Sequence, residues 1–165
     1  YFMPFNPLKP IVTLVCLCLL VGGSALGQSK SGIFTVKGKV SVAKGELEHC
    51  ELVVINSEQL DSNHVELNGG KFDFLLGLNN TYLLLVRKNN VPVKKILIST
   101  AAPASPAGYK MKLTIDVLGG IYSHGIVEYN GFEHRFIIKA MRKNTLKRRK
   151  HEFLAFYEYM MEDIR

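Results

Sequence analysis

The sequence predicts a mainly β protein: an antiparallel β-sandwich followed by a C-terminal β-hairpin and an amphipathic helix. Three observations carry this. Gly69 to Thr100 reads as three strands joined by two short turns. Ile33 to Val42 and Tyr109 to Val117 alternate apolar and polar side chains in the same way. A helical spacing of apolar residues occurs in the last twenty or so positions. Alternation with a period of two places one set of side chains on a buried face. A period near 3.6 gives a helix with one apolar stripe.

Composition sets the bounds. With 165 residues, 47% of them hydrophobic, the chain is long enough for about one domain with a real core. The net charge is +7, but the excess is local. Lys139, Arg142, Lys143, Lys147, Arg148, Arg149 and Lys150 fall within twelve positions that hold no anion. The rest of the chain is close to neutral, so an argument from charge to partner concerns this segment alone. Of the three cysteines, Cys16 and Cys18 lie in the N-terminal apolar run, and Cys50 alone cannot form an internal disulfide. It reads as a small core residue.

The first 27 residues read as a secretory signal. Lys9 precedes the apolar run Ile11 to Val21, and Ala25 and Gly27 supply small residues before Gln28. Met3 is a candidate initiator. The rival reading is an uncleaved membrane anchor, because residues 10–29 are free of charge for 20 positions. Both readings place residue 28 onward outside the cytoplasm, either free or held by a single span.

Residues 28–118 then read as the sandwich. In Ile33 to Val42, Phe34, Val36, Val40 and Val42 face inward and Thr35, Lys37, Lys39 and Ser41 outward. Ala43 to Glu48 is a turn. Cys50 to Ile55 is β-branched and apolar, as expected of a strand covered on both sides. Asn56 to Asn63 is polar and loop-like, and His64 to Leu67 is a short edge strand. Lys71 to Leu76 follows, then Asn79-Asn80, then Tyr82, Leu84 and Val86 on one face. Lys88-Asn89-Asn90 and the strand Val91 to Ile98 come next. The asparagines suit the left-handed dihedrals that turns require. Ala101 to Ala107 is a Pro/Ala/Ser connector. Tyr109, Met111, Leu113, Ile115 and Val117 then alternate with Lys110, Lys112, Thr114 and Asp116.

The order Gly38-Lys39-Val40, Leu47, Leu52-Val53-Val54, Gly70-Lys71-Phe72-Asp73-Phe74, Asn80-Thr81-Tyr82, Lys88, and Lys94-Lys95-Ile96 to Thr100 resembles the carboxypeptidase regulatory-like domain. That family has a transthyretin-like, immunoglobulin-like β-sandwich and is common in envelope proteins of Gram-negative bacteria, which implies a place in the periplasm or at the outer membrane. The likeness covers residues 33–118. Cys50 stands where the family usually has Ala, and Asn90-Val91 replaces a Gly-Tyr after the lysine. These motifs are structural. The resemblance implies a non-catalytic module with no cofactor, of the kind attached to enzymes, transport receptors or glycan-binding envelope proteins.

Residues 119–165 form the last segment. Gly119-Gly120 ends the sandwich pattern, and Ile121 to Ile138 reads as a hairpin around Asn130-Gly131. That turn sets Tyr129 opposite Phe132, Val127 opposite His134, and Glu128 opposite Glu133. His124 and His134 then fall on opposite faces and cannot share a metal ion. Thr145 is the expected N-cap of a helix running to about Asp163, with a stripe of Leu146, Phe153, Leu154, Tyr157, Met160, Met161 and Ile164. Its cations lie at the start and its acids near the end, against the helix dipole, so its stripe must dock on the sandwich or on a partner.

For catalysis the sequence offers no nucleophile motif and no phosphate loop. The expectation is therefore a non-catalytic envelope module that binds a protein or glycan, with no cofactor, no metal and no catalytic residue. The seven cations from Lys139 to Lys150 are its candidate anion-binding patch. The alternative is a membrane-anchored or membrane-surface protein that uses the basic, aromatic helix against anionic lipid or an acidic partner. Export argues against nucleic acid.

Overall fold

Alternation along the chain resolves into two sheets in the computed structural model, which describes residues 32–42, 47, 49–117 and 124–161. The strands are β1 (Ile33–Ser41), β2 (Cys50–Asn56), β3 (Ser62–Val65), β4 (Lys71–Gly77), β5 (Thr81–Lys88), β6 (Val91–Ser99), β7 (Tyr109–Asp116), β8 (His124–Asn130) and β9 (Arg135–Ala140). One sheet has the order β4-β1-β7 and the other β3-β2-β5-β6-β8-β9. The expected signal or anchor at 1–27, the predicted cleavage before Gln28, the turn at 43–46 and the Gly119-Gly120 break lie outside the described residues.

The inner faces share one core. Phe34, Val36, Val40, Phe72, Met111, Leu113 and Ile115 come from the three-stranded sheet, and Leu52, Val54, Leu84, Val86, Ile96, Ile98, Val127 and Phe136 come from the other. Phe34 stacks on Phe136 with ring centroids 4.0 Å apart, and Tyr109 meets Phe136 and Tyr129 edge-on at 5.3 Å. These aromatics tie the β8–β9 hairpin to the opposite sheet. The turns follow the expected chemistry. Asn89 and Asn90 have φ of 51° and 62°, the paired left-handed conformation of a two-residue hairpin loop. Asn79 has φ 60°, and the Thr100 hydroxyl accepts the Asn80 N–H at 2.9 Å.

Several expectations need correction. The sheets are mixed rather than wholly antiparallel, because β1 pairs with β7 and β6 with β8 in parallel. Alternation reveals which face a residue takes but not the direction of a neighbouring strand. The connector after β6 carries the chain across to the other sheet, so β7 arrives beside β1 running the same way. The short edge strand begins at Ser62 rather than His64. The hairpin loop has four residues rather than two: Tyr129 lies opposite Phe136 and Asn130 opposite Arg135. The Asn130 side chain accepts the Phe132 N–H at 3.0 Å and donates to Glu133 at 3.0 Å, which folds the longer loop. His134 takes the left-handed position with φ 50°. The shift in pairing is even, so the residues that remain in the two strands keep the face that the alternation assigned, while Phe132, Glu133 and His134 pass from the expected strand into the loop. The hairpin is part of the six-stranded sheet rather than an appendage.

The C-terminal helix is broken. Helix α1 (Lys143–Arg148), a 3₁₀ segment (Lys150–Phe156) and helix α2 (Tyr157–Met161) replace one continuous helix. Phe153 leaves helical dihedrals at φ −121°, ψ 25°, and the N-cap is Arg142 with no side-chain cap rather than Thr145. The break eases the dipole conflict. Lys147 and Arg148 now lie in the last turn of α1, and Glu152 and Glu158 in the first turns of the 3₁₀ segment and α2, each the favourable way round, while Lys143 and Lys150 stay at helical starts. Leu146, Phe153, Phe156 and Met160, with Met141, pack on Leu83, Leu97 and Ile126 of the sheet's outer face. Leu154, expected in the stripe, is exposed. The described residues thus form three layers: sheet, sheet and helical cover.

Gly38 marks the tightest approach between β1 and β7. A Cβ there would collide with the Leu113 carbonyl oxygen and lie 2.5 Å from Phe72 Cζ. Gly38→Ala is therefore expected to destabilise the fold by about 3 kcal/mol, the upper range for overpacking. Urea denaturation would show this as a lower midpoint at an unchanged slope.

Candidate functional site

The seven cations singled out in the sequence arise from three successive elements. Lys139 is on the outer face of β9. Arg142 is extended at the N-cap, and Lys143, Lys147 and Arg148 are exposed on α1. Arg149 occupies the turn and Lys150 opens the 3₁₀ segment. The buried Leu146 fixes which side of α1 faces the sheet, and so directs its three cations outward.

The structure divides the set. Lys139 and Arg149 converge on Glu128 of β8, each with an N–O distance of 2.6 Å. Arg149 also grips Glu152 through Nη2 at 2.6 Å. The side chains of Arg149 and Glu128 are only 25% and 22% exposed, so this pair is a clamp that holds the break in the helix against β8. Burial pushes the Glu128 carboxyl up, but hydrogen bonds from Lys139 and Arg149 and the charges of both outweigh it and hold the carboxyl below its ordinary value. The Glu152 hydrogen bond raises the Arg149 guanidinium, against a smaller opposing effect of burial.

Five cations remain outward. Lys150 lies over the Tyr157 ring at 4.7 Å. Among the described residues, Arg142, Lys143, Lys147 and Arg148 have no carboxylate within ion-pair reach. The aromatics that the sequence set beside them are partly withdrawn: Phe153 and Phe156 are buried against the sheet. The patch therefore presents charge without a broad apolar edge.

Two functional side chains escaped the sequence reading. Glu128 was expected on a wet face opposite Glu133, whereas it lies opposite Ile137 and joins the clamp. Lys95, in the apolar run of β6, is 4% exposed. Its Nζ donates to the Tyr159 carbonyl at 3.2 Å and sits 3.5 Å from the centre of the Tyr159 ring, fastening α2 to the sheet. The doublet Lys94-Lys95 inside an apolar strand was the available signal. His124, nearby on β8, has its pKa lowered by burial, then by the charges of Lys95 and Lys94.

A hollow of about 410 Å³ is bordered by Leu47, Cys50, Glu51 and His64, and Cys50 packs against the core at its rim. Among the described residues no three His, Cys, Asp or Glu side chains are placed to hold a metal ion. His134 lies in the hairpin loop, its Nδ1 3.2 Å from the Tyr129 hydroxyl.

Glu128→Gln is expected to cost about 1–2 kcal/mol at neutral pH, as for loss of a charged hydrogen-bonding partner. The sign follows from a depressed folded pKa: the ionised carboxylate stabilises above the ordinary carboxylate range, and that contribution disappears as pH falls through the folded value. Thermal melts should therefore separate the two proteins at pH 7 and bring them together as the pH falls below the ordinary carboxylate range.

The chain matches no protein-family model and no curated protein sequence, so its function rests on these surfaces.

Proposed function

We propose that this chain is a non-catalytic, exported module of the cell envelope. Its two facing sheets would form a transthyretin-like sandwich of the carboxypeptidase regulatory-like kind, and it contacts an anionic phospholipid surface through Arg142, Lys143, Lys147 and Arg148. One observation carries the reading. The apolar stripe of the C-terminal segment is buried on the chain's own sheet, while those four cations project without carboxylate partners. A segment held this way does not need a partner to fold, and its contact with a membrane is electrostatic rather than insertive. The signal-like N-terminus supports the envelope as the location. Removing the segment is a poor test, because truncation after Lys139 uncovers Leu83, Leu97 and Ile126. Each buried side chain of that size contributes about 1.5–3 kcal/mol.

A second reading has an observation of its own. Residues 10–29 lead into β1, and the end of the fold where β1 begins carries exposed apolar side chains. Ile33 is 53% exposed, and Phe132 is fully exposed at the tip of the hairpin loop. The Phe34–Phe136 stack puts both at that end. An uncleaved anchor would bring this end against the bilayer. Among the described residues themselves, no helix is long and apolar enough to cross a membrane.

Two measurements separate these readings. Co-sedimentation with vesicles of phosphatidylglycerol and phosphatidylcholine should retain the wild-type protein. The combined variant Arg142→Gln, Lys143→Gln, Lys147→Gln, Arg148→Gln should bind at least tenfold more weakly, since each basic group near such a surface contributes about 1 kcal/mol. An unchanged affinity would reject the assigned patch. Fractionation with intact mass then decides the anchor: a soluble species beginning at Gln28 supports the exported module, and a membrane-bound species retaining residues 10–29 supports the anchored form.

A further inference from the structure

The outer face of the three-stranded sheet carries a second basic surface, which the near-neutral charge of this part of the chain conceals. Parallel pairing of β1 with β7 sets Thr35 beside Lys110, Lys37 beside Lys112 and Lys39 beside Thr114. Antiparallel pairing with β4 sets Lys37 beside Asp73 and Lys39 beside Lys71. All five lysines are exposed, because the alternate residues of the same strands fill the core. Neighbouring strands lie about 4.8 Å apart and alternate residues about 6.7 Å apart. The lysines therefore form a diagonal band from Lys110 through Lys112 and Lys37 to Lys39 and Lys71, roughly 16 Å long on those spacings.

The band is only partly neutralised: Asp73 and Glu66 line a hollow with Lys37 and Lys71 at one edge. Lys37 has Asp73 at 3.7 Å, with both side chains largely in solvent. Among the described residues, Lys39, Lys71, Lys110 and Lys112 have no ion-pair partner. Two of the cross-strand neighbours, Lys37 with Lys112 and Lys39 with Lys71, are like charges directly opposite each other, an arrangement that works against the sheet. A surface shaped for solubility alone intersperses its signs. Here the repulsion is relieved when an anion lies between the rows.

We propose that this face binds a linear anionic polysaccharide, with successive acidic groups of the glycan lying along the diagonal. The shape favours a chain over a plane, because the band is long and one or two lysines wide. Ile33 and Leu75, the exposed apolar residues of the face, stand at one corner off the band. No aromatic side chain stands among the lysines, so there is no platform for stacking nucleic-acid bases. The choice of glycan as the source of negative charge also rests on the exported reading given above.

The test uses the full chain and polygalacturonate as probe, with neutral dextran as control, by isothermal titration calorimetry. The wild type is expected to bind polygalacturonate and not dextran, with affinity falling steadily as salt is raised. The variant Lys39→Gln, Lys71→Gln, Lys110→Gln, Lys112→Gln should bind at least tenfold more weakly and melt no lower than the wild type, because the substitutions remove repulsion and touch no core residue. The variant lacking the four outward cations of the C-terminal segment should bind polygalacturonate within twofold of the wild type, so failure of the lipid reading leaves this one standing. The proposal is overturned if the four-lysine variant binds as well as the wild type or if dextran binds equally. It is also overturned if these lysines govern affinity for anionic vesicles or for a single-stranded oligonucleotide while polygalacturonate does not bind.

Discussion

Leu83, Leu84, Leu85 and Val86 are consecutive buried residues of β5, and Ile96, Leu97 and Ile98 repeat the arrangement in β6. Successive side chains in a strand point to opposite faces, so these two strands are apolar on both sides and must be covered twice. The three-stranded sheet supplies one cover, through Phe34, Val36, Phe72 and Leu113. The C-terminal segment supplies the other, through Leu146, Phe153, Phe156 and Met160. Without the second cover the fold would present a broad apolar patch to water, of the kind that soluble proteins rarely leave open. The helical segment is thus a layer of the domain, and its charges are oriented by that role.

The same constraint explains why the segment breaks. A straight helix through Leu146, Phe153, Tyr157 and Met160 satisfies the apolar spacing, but it gathers cations at its positive end and acids at its negative end. The cost is a few tenths of a kcal/mol for each exposed charge. That is small beside the apolar burial, so the stripe decides where the segment docks and the charges decide how it is cut. The Arg149–Glu128 pair sits at the cut. One partner comes from the cover and the other from the sheet, so docking and breaking are a single event.

Much of the β layer was legible in the sequence because period-two alternation and paired asparagines have few alternative readings. Phe34, Val36 and Val40 and the turn at Asn89-Asn90 are examples. Strand direction was not legible, since a parallel and an antiparallel neighbour demand the same alternation. The hairpin register failed for a different reason: Asn130 uses its side chain to cap a four-residue loop, where its backbone was expected to form a two-residue one. In the candidate site the run of cations was plain, but its division into paired and outward members depends on Glu128, far away in sequence. Lys37, Lys39, Lys110 and Lys112 each looked like an ordinary outward position. Only the parallel β1–β7 ladder, which joins positions 75 residues apart, makes them neighbours.

The order of the layers constrains how the two basic surfaces can act. One lies on the outer face of the three-stranded sheet and the other on the helical cover, with the six-stranded sheet between them. Surfaces on opposite sides of one rigid unit cannot both lie flat on the same plane. A surface that engaged Arg142, Lys143, Lys147 and Arg148 would leave the lysine band facing away from it. The two cationic surfaces therefore lie on opposite sides of the fold, and the mixed topology that places β7 beside β1 is what assembles the second of them.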